Sequence, residues 1–333
     1  MTMNAYVINR FGGPEVFEKV SIPRPEPKAG EVLIRVKATS VNPVDYKIRS
    51  GVLGVLGPKF PAVLHGDVAG VVEAVGSAVT AFKKGDEVYG CIGGVGARYG
   101  ALAEYTIAES AMLAKKPSRL TMKEAASLPL VSITAFEALI DRAGVGSGHH
   151  VLVYGGTGGV GHVALQIAKA FGARVATTVS SEKKAEIAKS LGADDVANYK
   201  AESVANYVAR LTDGRGFDVV FDTIGDGNLK VAADAARLNG HVVTILGPNA
   251  PMMDFYLKGL NLHFVLMLIP LLHGVGVKRH GEILTKVAEL VDQGKIKPVV
   301  DPKVFTLDQV GAAHEYASSG EQIGKVVIGI GVD

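Results

Sequence analysis

The sequence predicts an α/β protein, with a β-rich body alongside a doubly wound parallel sheet. Three observations carry this. Residues 1–122 show short period-two apolar runs separated by glycines and prolines. From there to residue 270, apolar runs alternate with helical periods. Inside that alternation lies YGGTGGVG, residues 154–161, between one run and one period. Strand and helix alternating so regularly imply parallel strands joined by right-handed crossovers. With 333 residues, 48% of them hydrophobic, and a mean hydropathy of +0.25, the chain holds apolar side chains enough for two cores. The expected domains are 1–122, 123–270, and a return of 271–333 to the first body.

In the first third, EVLIRVKA (31–38) places Val32, Ile34 and Val36 on one face and Leu33, Arg35 and Lys37 on the other. Prolines 23, 25 and 27 bar helix just before it. VAGVVEAVG (68–76), GDEVYG (85–90) and ALAEYTIA (101–108) follow as further strands. MKEAASLPLVSITAFEALIDRAG then reads as one or two helices broken near Pro129. HVLVYG (150–155) is a buried strand, and Val160, Val163, Ala164, Ile167, Ala168 and Phe171 mark the helix after it, closed by Gly172. RVATTV, a helix SEKKAEIAKSLG, DVANY, a helix from Glu202 to Leu211, FDVVFDTIG, a helix from Asn228 to Leu238 and HVVTILG continue the alternation. The apolar run LNLHFVLMLIPLL (260–272) is shorter than the ~18–20 residues of a membrane span and reads as a buried strand or an interface. A helix from His280 to Gln293, an extended VVDPKVFTL, a helix LDQVGAAHEYAS and a last strand KVVIGI complete the chain.

Composition narrows the function. A net charge of +2, without long single-sign runs, points to neither nucleic acid nor anionic membrane. The single cysteine, Cys91, excludes an intrachain disulfide and reads as a buried small hydrophobe. The N-terminus carries no signal-peptide pattern, so a cytoplasmic protein is expected. The remaining partners are a small molecule and another copy of the chain.

Glycine is costly to order, so the run at 154–161 needs a reason. Gly156, Gly158 and Gly161 spell G-x-G-x-x-G after a strand and before an amphipathic helix. The first allows a tight turn, the second lets a pyrophosphate approach the backbone, and the third lets helix and strand pack closely. The helix N-terminus adds N–H groups and positive dipole. At the end of the next strand TTVSSEKK (177–184) has Ser180 and Ser181 where NAD enzymes place an acid. Lys183 and Lys184 stand in the first turn of a helix, where the dipole disfavours cations, and a 2′-phosphate would explain them; NADPH is therefore expected over NADH. The alternative is an N-capping serine with solvated lysines.

With these motifs in place, the sequence resembles the zinc-independent quinone oxidoreductases, the zeta-crystallin-like branch of the medium-chain dehydrogenase/reductase superfamily. FGGPEVFE, VNPVDYKIRSG (41–51), GDVAGVVEAVG (66–76), KKGDEVYG, LPLVSITAFEAL (128–139), GGTGGVG and a terminal GKVVI occur in the family's order over essentially the whole chain. The resemblance implies a GroES-like β-rich catalytic domain made from both chain ends, a Rossmann domain inserted between them, and a dinucleotide bound in the cleft. It implies Asn42, Asp45, Tyr46 and Thr134 beside nicotinamide and substrate, with Tyr46 or Asn42 donating to the acceptor carbonyl. Gly156, Gly158, Gly159 and Val160 match the pyrophosphate turn, and Ser180, Lys184 and Tyr199 the 2′-phosphate and adenine ribose. Leu246 and Gly247 should border the nicotinamide, and NLHFVLML should pair two copies as a homodimer.

In the zinc-dependent relatives, ligands would fall at Asp45, at Gly66 beside Asp67, and near Leu130 to Ser132; none of these matches a ligand, and one cysteine cannot build a structural zinc site. His65, Asp67 and Asp45 are read as satisfied polar residues of a turn, and no metal is expected. Without a Lewis acid the expected reaction is NADPH-dependent hydride transfer to a quinone, whose charge delocalises. Reduction of enones or 2-alkenals on the same scaffold is the alternative, and a non-catalytic NADPH-binding protein is a third reading.

Overall fold

The computed structural model describes residues 1–225, 227–246 and 251–331. The chain divides into two compact units: residues 1–130, 268–292 and 298–333 form the first, and 131–267 with 293–297 the second.

In the first unit, β1 (Thr2–Ile8) and β2 (Phe17–Pro23) form an antiparallel ribbon. The larger sheet begins with β3 (Glu31–Ser40), β4 (Asp67–Val75), β5 (Glu87–Cys91), β6 (Tyr105–Glu109) and β7 (Leu113–Lys115). Period two alone assigns Leu33 to the face of Arg35 and Lys37, yet Leu33 is as buried as Val32 and Ile34. β3 is the hub of the sheet, flanked by β4 and β6, and its register with β4 slips between Leu33 and Ile34. Gly70 of β4 stands where a Cβ would meet the Arg35 carbonyl oxygen at 2.3 Å, so the two backbones close up only around glycine.

The break at Pro129 separates the helices Met122–Ala126 and Pro129–Phe136, and the latter runs on into a π-helical segment, Glu137–Arg142. Thr121 caps the first, with Glu124 returning a bond to the cap.

The second unit carries one six-stranded parallel sheet. Its strands are β8 (His150–Val153), β9 (Arg174–Val179), β10 (Asp195–Asn198), β11 (Phe217–Asp222), β12 (Ala236–Thr244) and β13 (Asn261–Phe264), in the order β10-β9-β8-β11-β12-β13. This is the doubly wound order, reversing direction between β8 and β11. Leu152, Val220, Val242, Ala232 and Phe255 lie together in the core on one of its faces.

Two segments differ from the sequence reading. The helix expected to reach Leu238 ends at Ala235, and β12 begins at once. The Lys258 ammonium binds the carbonyls of Ala233, Asp234 and Ala236, satisfying helix-end oxygens that a longer helix would have bonded itself. The run 260–272 forms β13, a loop and the helix Ile269–His273. β13 is the edge of the sheet, with Phe264 54% exposed, so in the single chain it is no buried strand.

The chain then returns to the first unit through the helix Lys278–Asp292, β14 (Phe305–Thr306), the helix Val310–Ser319 and β15 (Val327–Gly329). β15 pairs antiparallel with β3 and completes the order β14-β15-β3-β4-β5-β7, with β6 on β3. The first unit is thus GroES-like and β-rich, the second Rossmann-like. Among the described residues no helix is long and apolar enough to cross a membrane.

Candidate active site

Asn42 follows the end of β3 and precedes the helix Pro43–Arg49, whose first residue is a proline that needs no N–H partner. The Asn42 N–H donates to Asp45 Oδ2 at 2.7 Å, which folds Asp45 back against the helix start. The Asn42 side chain turns the other way: Nδ2 donates to Asp67 Oδ2 at 2.8 Å, and Oδ1 accepts from the Lys325 ammonium. Lys325, just before β15, also donates to the Val41 carbonyl at 3.1 Å and lies 3.7 Å from Asp67 Oδ2. Asp67, first residue of β4, receives the Ser40 hydroxyl at 2.7 Å and the Leu130 N–H at 2.8 Å. Asn42, Asp45, Asp67 and Lys325 are each no more than 3% exposed.

Burial sets the protonation of this cluster. It pushes the Asp45 carboxyl up to about 7, with the neighbouring Asp67 charge adding to the rise and the Asn42 N–H and Lys325 opposing it. Burial lowers the Lys325 ammonium from its ordinary value while Asp67 and Asp45 pull it back. Tyr46, half-buried, is raised first by burial and then by the Asp45 charge.

A second buried pair adjoins the cluster. His65, in the left-handed region at φ 73, places its Nε2 2.7 Å from His314 Nε2 and its Nδ1 3.2 Å from Thr39 Oγ1. The Thr39 hydroxyl gives its hydrogen to the Asp67 carbonyl at 2.6 Å, so the hydrogen shared with His65 comes from Nδ1. That leaves a lone pair on His65 Nε2, and His314 Nε2 donates to it. Both rings are then neutral, and burial holds His65 down to about 3 and His314 well below its ordinary value.

Thr134, the fourth expected catalytic residue, belongs to the second unit and is buried on the helix Pro129–Phe136. The structure therefore brings Asn42, Asp45 and Tyr46 together on one helix start, joined by Asp67 and Lys325.

In the second unit the glycine run forms the turn between β8 and the helix Gly161–Ala170. Positive φ falls on Gly155, at 67°, and not on Gly156. Gly156 is required for a different reason than a tight turn: a Cβ there would lie 2.1 Å from Thr177 Oγ1 of β9. A Cβ on Gly161 would lie 2.1 Å from the Gly155 carbonyl oxygen, so the helix seats directly on the turn. Gly158 is exposed, and the N–H groups of Gly159 and Val160 bond to no other backbone group among the described residues. Such a turn at a helix N-terminus can hold a pyrophosphate.

At the end of β9, Ser181 is the N-cap of the helix Glu182–Ser190 and accepts the Lys184 N–H at 3.4 Å. Ser180 and Lys184 are partly exposed, and Tyr199, just past β10, is 56% exposed. Leu246 is 38% exposed after β12; Gly247 lies outside the described residues.

The sequence reading did not single out Asp222, at the end of β11. Its buried carboxylate accepts the Ile224 and Gly225 N–H groups and Asn228 Nδ2, and its Oδ2 lies 3.0 Å from the Thr244 hydroxyl. It thereby ties the loop after β11 to the end of β12, beside Leu246. Nor did that reading single out Lys325, where a lysine in an otherwise apolar terminal strand was the available signal.

The places where zinc ligands would fall are occupied by Asp45, Gly66 and the stretch from Leu130 to Ser132. Gly66 has no side chain, and a Cβ there would meet Cys91 Sγ and the Gly93 carbonyl oxygen, each at 3.0 Å. Leu130 offers an N–H donor, and the nearby carboxylates are engaged by Asn42 and Lys325. Among the described residues no three His, Cys, Asp or Glu side chains cluster to hold a metal ion.

Comparison with known proteins agrees with both halves of this description. The family model for the alcohol dehydrogenase GroES-like domain matches residues 28–118, and that for zinc-binding dehydrogenases matches residues 191–328. The chain is 38% identical to the NADPH-dependent alkenal/one oxidoreductase, chloroplastic, of Arabidopsis thaliana, over 98% of this chain and 79% of the other. It is 36% identical to the chloroplast envelope quinone oxidoreductase homolog of the same plant, over 98% of each. The crystal structure of an alcohol dehydrogenase superfamily protein from Novosphingobium aromaticivorans superposes with a TM-score of 0.94 at 38% identity, over 99% of this chain and 100% of that one. Similarity over nearly full length, together with a GroES-like unit and a doubly wound sheet bearing G-x-G-x-x-G, leaves one assignment: the chain belongs to the quinone oxidoreductase branch of the medium-chain dehydrogenase/reductase superfamily.

Proposed function

We propose that this oxidoreductase transfers hydride from NADPH to quinones without a metal ion. The observation that carries the reading is the Asn42 cluster: where a Lewis acid would be held, the buried groups are carboxylates, an amide and an ammonium bonded to one another. Quinones suit such a site, because the charge that hydride brings delocalises over the ring and needs placement and a hydrogen-bond donor. Tyr46, whose phenol is raised by burial, is the donor to the acceptor carbonyl, with Asn42 and Asp45 beside it and Thr134 near the nicotinamide.

Bound NADPH supplies the hydride. The turn Gly156–Gly161 receives its pyrophosphate, Ser180, Ser181 and Lys184 its 2′-phosphate, Tyr199 the adenine ribose, and Leu246 and Gly247 border the nicotinamide. The partly exposed Ser180 and Lys184 support the phosphate assignment, as does the NADPH named for the plant alkenal/one relative. That relative also favours a second reading, reduction of enones or 2-alkenals at the same site.

The chain is further proposed to act in the cytoplasm as a homodimer. The exposed edge β13, with Phe264 54% and Leu266 45% exposed in the single chain, supports pairing between copies. Light scattering at micromolar concentration reads this directly: a monomer would refute it.

The deciding experiment is steady-state oxidation of NADPH and of NADH against quinones, enones and primary alcohols, with and without chelator. Chelator-insensitive quinone turnover with NADPH preferred is the expected result. Enone-only turnover selects the second reading, chelator-sensitive alcohol oxidation refutes the metal-free site, and tight NADPH binding without turnover marks a non-catalytic protein.

A further inference from the structure

We infer that Lys325 is a positioning residue for the reaction: held between Asp67 and the Val41 carbonyl, its buried ammonium fixes the direction in which the Asn42 amide faces. The inference rests on the proposed role of Asn42 beside the reacting groups. A side-chain amide is nearly symmetric in shape, and only its partners decide which end carries the oxygen. Here the partners are opposite in kind. Lys325 can only donate, and it meets Oδ1; Asp67 Oδ2 accepts, and it meets Nδ2 at 2.8 Å. A flipped amide would set N–H groups against an ammonium and an oxygen against a carboxylate, forfeiting two charge-assisted bonds at once. One Nδ2 hydrogen is spent on Asp67 and one of the two Oδ1 lone pairs on Lys325, so both ends of the amide are held in place. The clamp therefore makes Asn42 a donor of fixed direction.

The rest of the cluster holds Lys325 where it does this. It is 3% exposed, and the Val41 carbonyl at 3.1 Å and Asp67 Oδ2 at 3.7 Å lie around the same nitrogen as Asn42 Oδ1. Asp67 keeps its own geometry through the Ser40 hydroxyl and the Leu130 N–H, neither of which depends on Lys325. A lysine at this place is costly to bury, and a methionine of similar length would fill the space without the charge.

The test compares the parent with Asn42→Ala, Lys325→Met and the charge-balanced pair Lys325→Met/Asp67→Asn. Each is measured for NADPH dissociation constant, kcat with a quinone and an enone, the primary deuterium isotope effect from 4-deuterated NADPH, and thermal midpoint. Lys325→Met is expected to lower kcat on the order of 10- to 100-fold and to enlarge the isotope effect. The NADPH dissociation constant should stay within about twofold, because no residue of the glycine turn belongs to this cluster. In the double variant the midpoint should recover while kcat stays low, since the unpaired carboxylate is gone but the amide is no longer held.

A kcat that recovers with the midpoint would overturn the inference and leave Lys325 a structural ion pair. An unchanged kcat in folded Lys325→Met overturns it as well. An Asn42→Ala variant as fast as the parent refutes the role of Asn42 and with it the clamp. A parent that binds NADPH but reduces neither acceptor sinks the reductase reading itself, and the inference with it; turnover by the parent separates the two failures.

Discussion

Replacing Asp45 by asparagine should change how stability depends on pH. In the folded chain the Asp45 carboxyl titrates at about 7, against 3.8 for the unperturbed group. A folded-state pKa above the unfolded one means that protonation stabilises the fold. That contribution is fully present below about 4 and is lost as pH rises through 7. A difference of about three units corresponds to roughly 4 kcal/mol over the whole range. About 3 kcal/mol of it falls between pH 5 and pH 8.

The amide of Asp45→Asn can still accept the Asn42 N–H but cannot ionise beside Asp67. Urea unfolding of parent and variant at pH 5 and pH 8 isolates the effect, because every other titrating group cancels in the comparison. The variant should gain about 3 kcal/mol on the parent between the two pH values, whatever fixed offset the lost carboxyl introduces. A parent–variant difference that is the same at both, within about 0.5 kcal/mol, would refute the assignment of a near-neutral carboxyl to Asp45.

Three other outcomes follow from the geometry. Gly161→Ala places a Cβ 2.1 Å from the Gly155 carbonyl oxygen, a backbone atom that can only yield by moving the turn. It should cost ~1–3 kcal/mol of stability and weaken NADPH binding, measured by fluorescence titration; binding at parental strength would show that the turn does not receive the cofactor. Lys184→Ala should weaken NADPH on the order of tenfold or more and leave NADH unchanged, and an equal loss for both cofactors would remove the 2′-phosphate from its assignment. His65→Asn keeps a residue type that tolerates φ 73 and removes a ring held neutral down to about 3. A depressed folded pKa gives stability that is present above 6.5 and lost as pH falls, so the variant should lack roughly 2 kcal/mol of the parent's loss between pH 7 and pH 5; parallel unfolding curves would contradict the neutral pair.

The doubly wound half was legible because its signals are local. Gly156, Gly158 and Gly161 sit in a fixed relation to the strand before and the helix after them, and alternating runs imply parallel strands without any knowledge of pairing. What failed there was also local in cause. The helix after Asn228 was read too long because its end is set by Lys258, more than twenty residues on, through bonds no window around residue 235 contains. The first unit was legible only in outline. Asn42, Asp45 and Tyr46 fall within five residues and could be singled out from VNPVDYKIRSG. Asp67 and Lys325 meet Asn42 across 25 and 283 positions of sequence, and no periodicity or spacing connects them. His65 and His314, 249 positions apart, are hidden for the same reason.

The cluster's two carboxylates have different surroundings. Asp67 collects the Ser40 hydroxyl, the Asn42 amide and the Leu130 N–H, with the Lys325 ammonium 3.7 Å away. Asp45 is served by Asn42, whose N–H donates to Oδ2 at 2.7 Å, and has the charge of Asp67 nearby. Burial first, and the Asp67 charge after it, raise the Asp45 carboxyl to about 7, so Asp45 takes a proton as neutrality is approached. Protonated, Asp45 adds no charge to the buried cluster; ionised, it adds an anion at a residue only 3% exposed. Since hydride transfer adds negative charge to the acceptor, the protonated form is the one that does not oppose it. The same balance ties Asp45 to Lys325: the ammonium opposes the rise of Asp45, so removing it raises Asp45 further and frees the Asn42 amide in a single step.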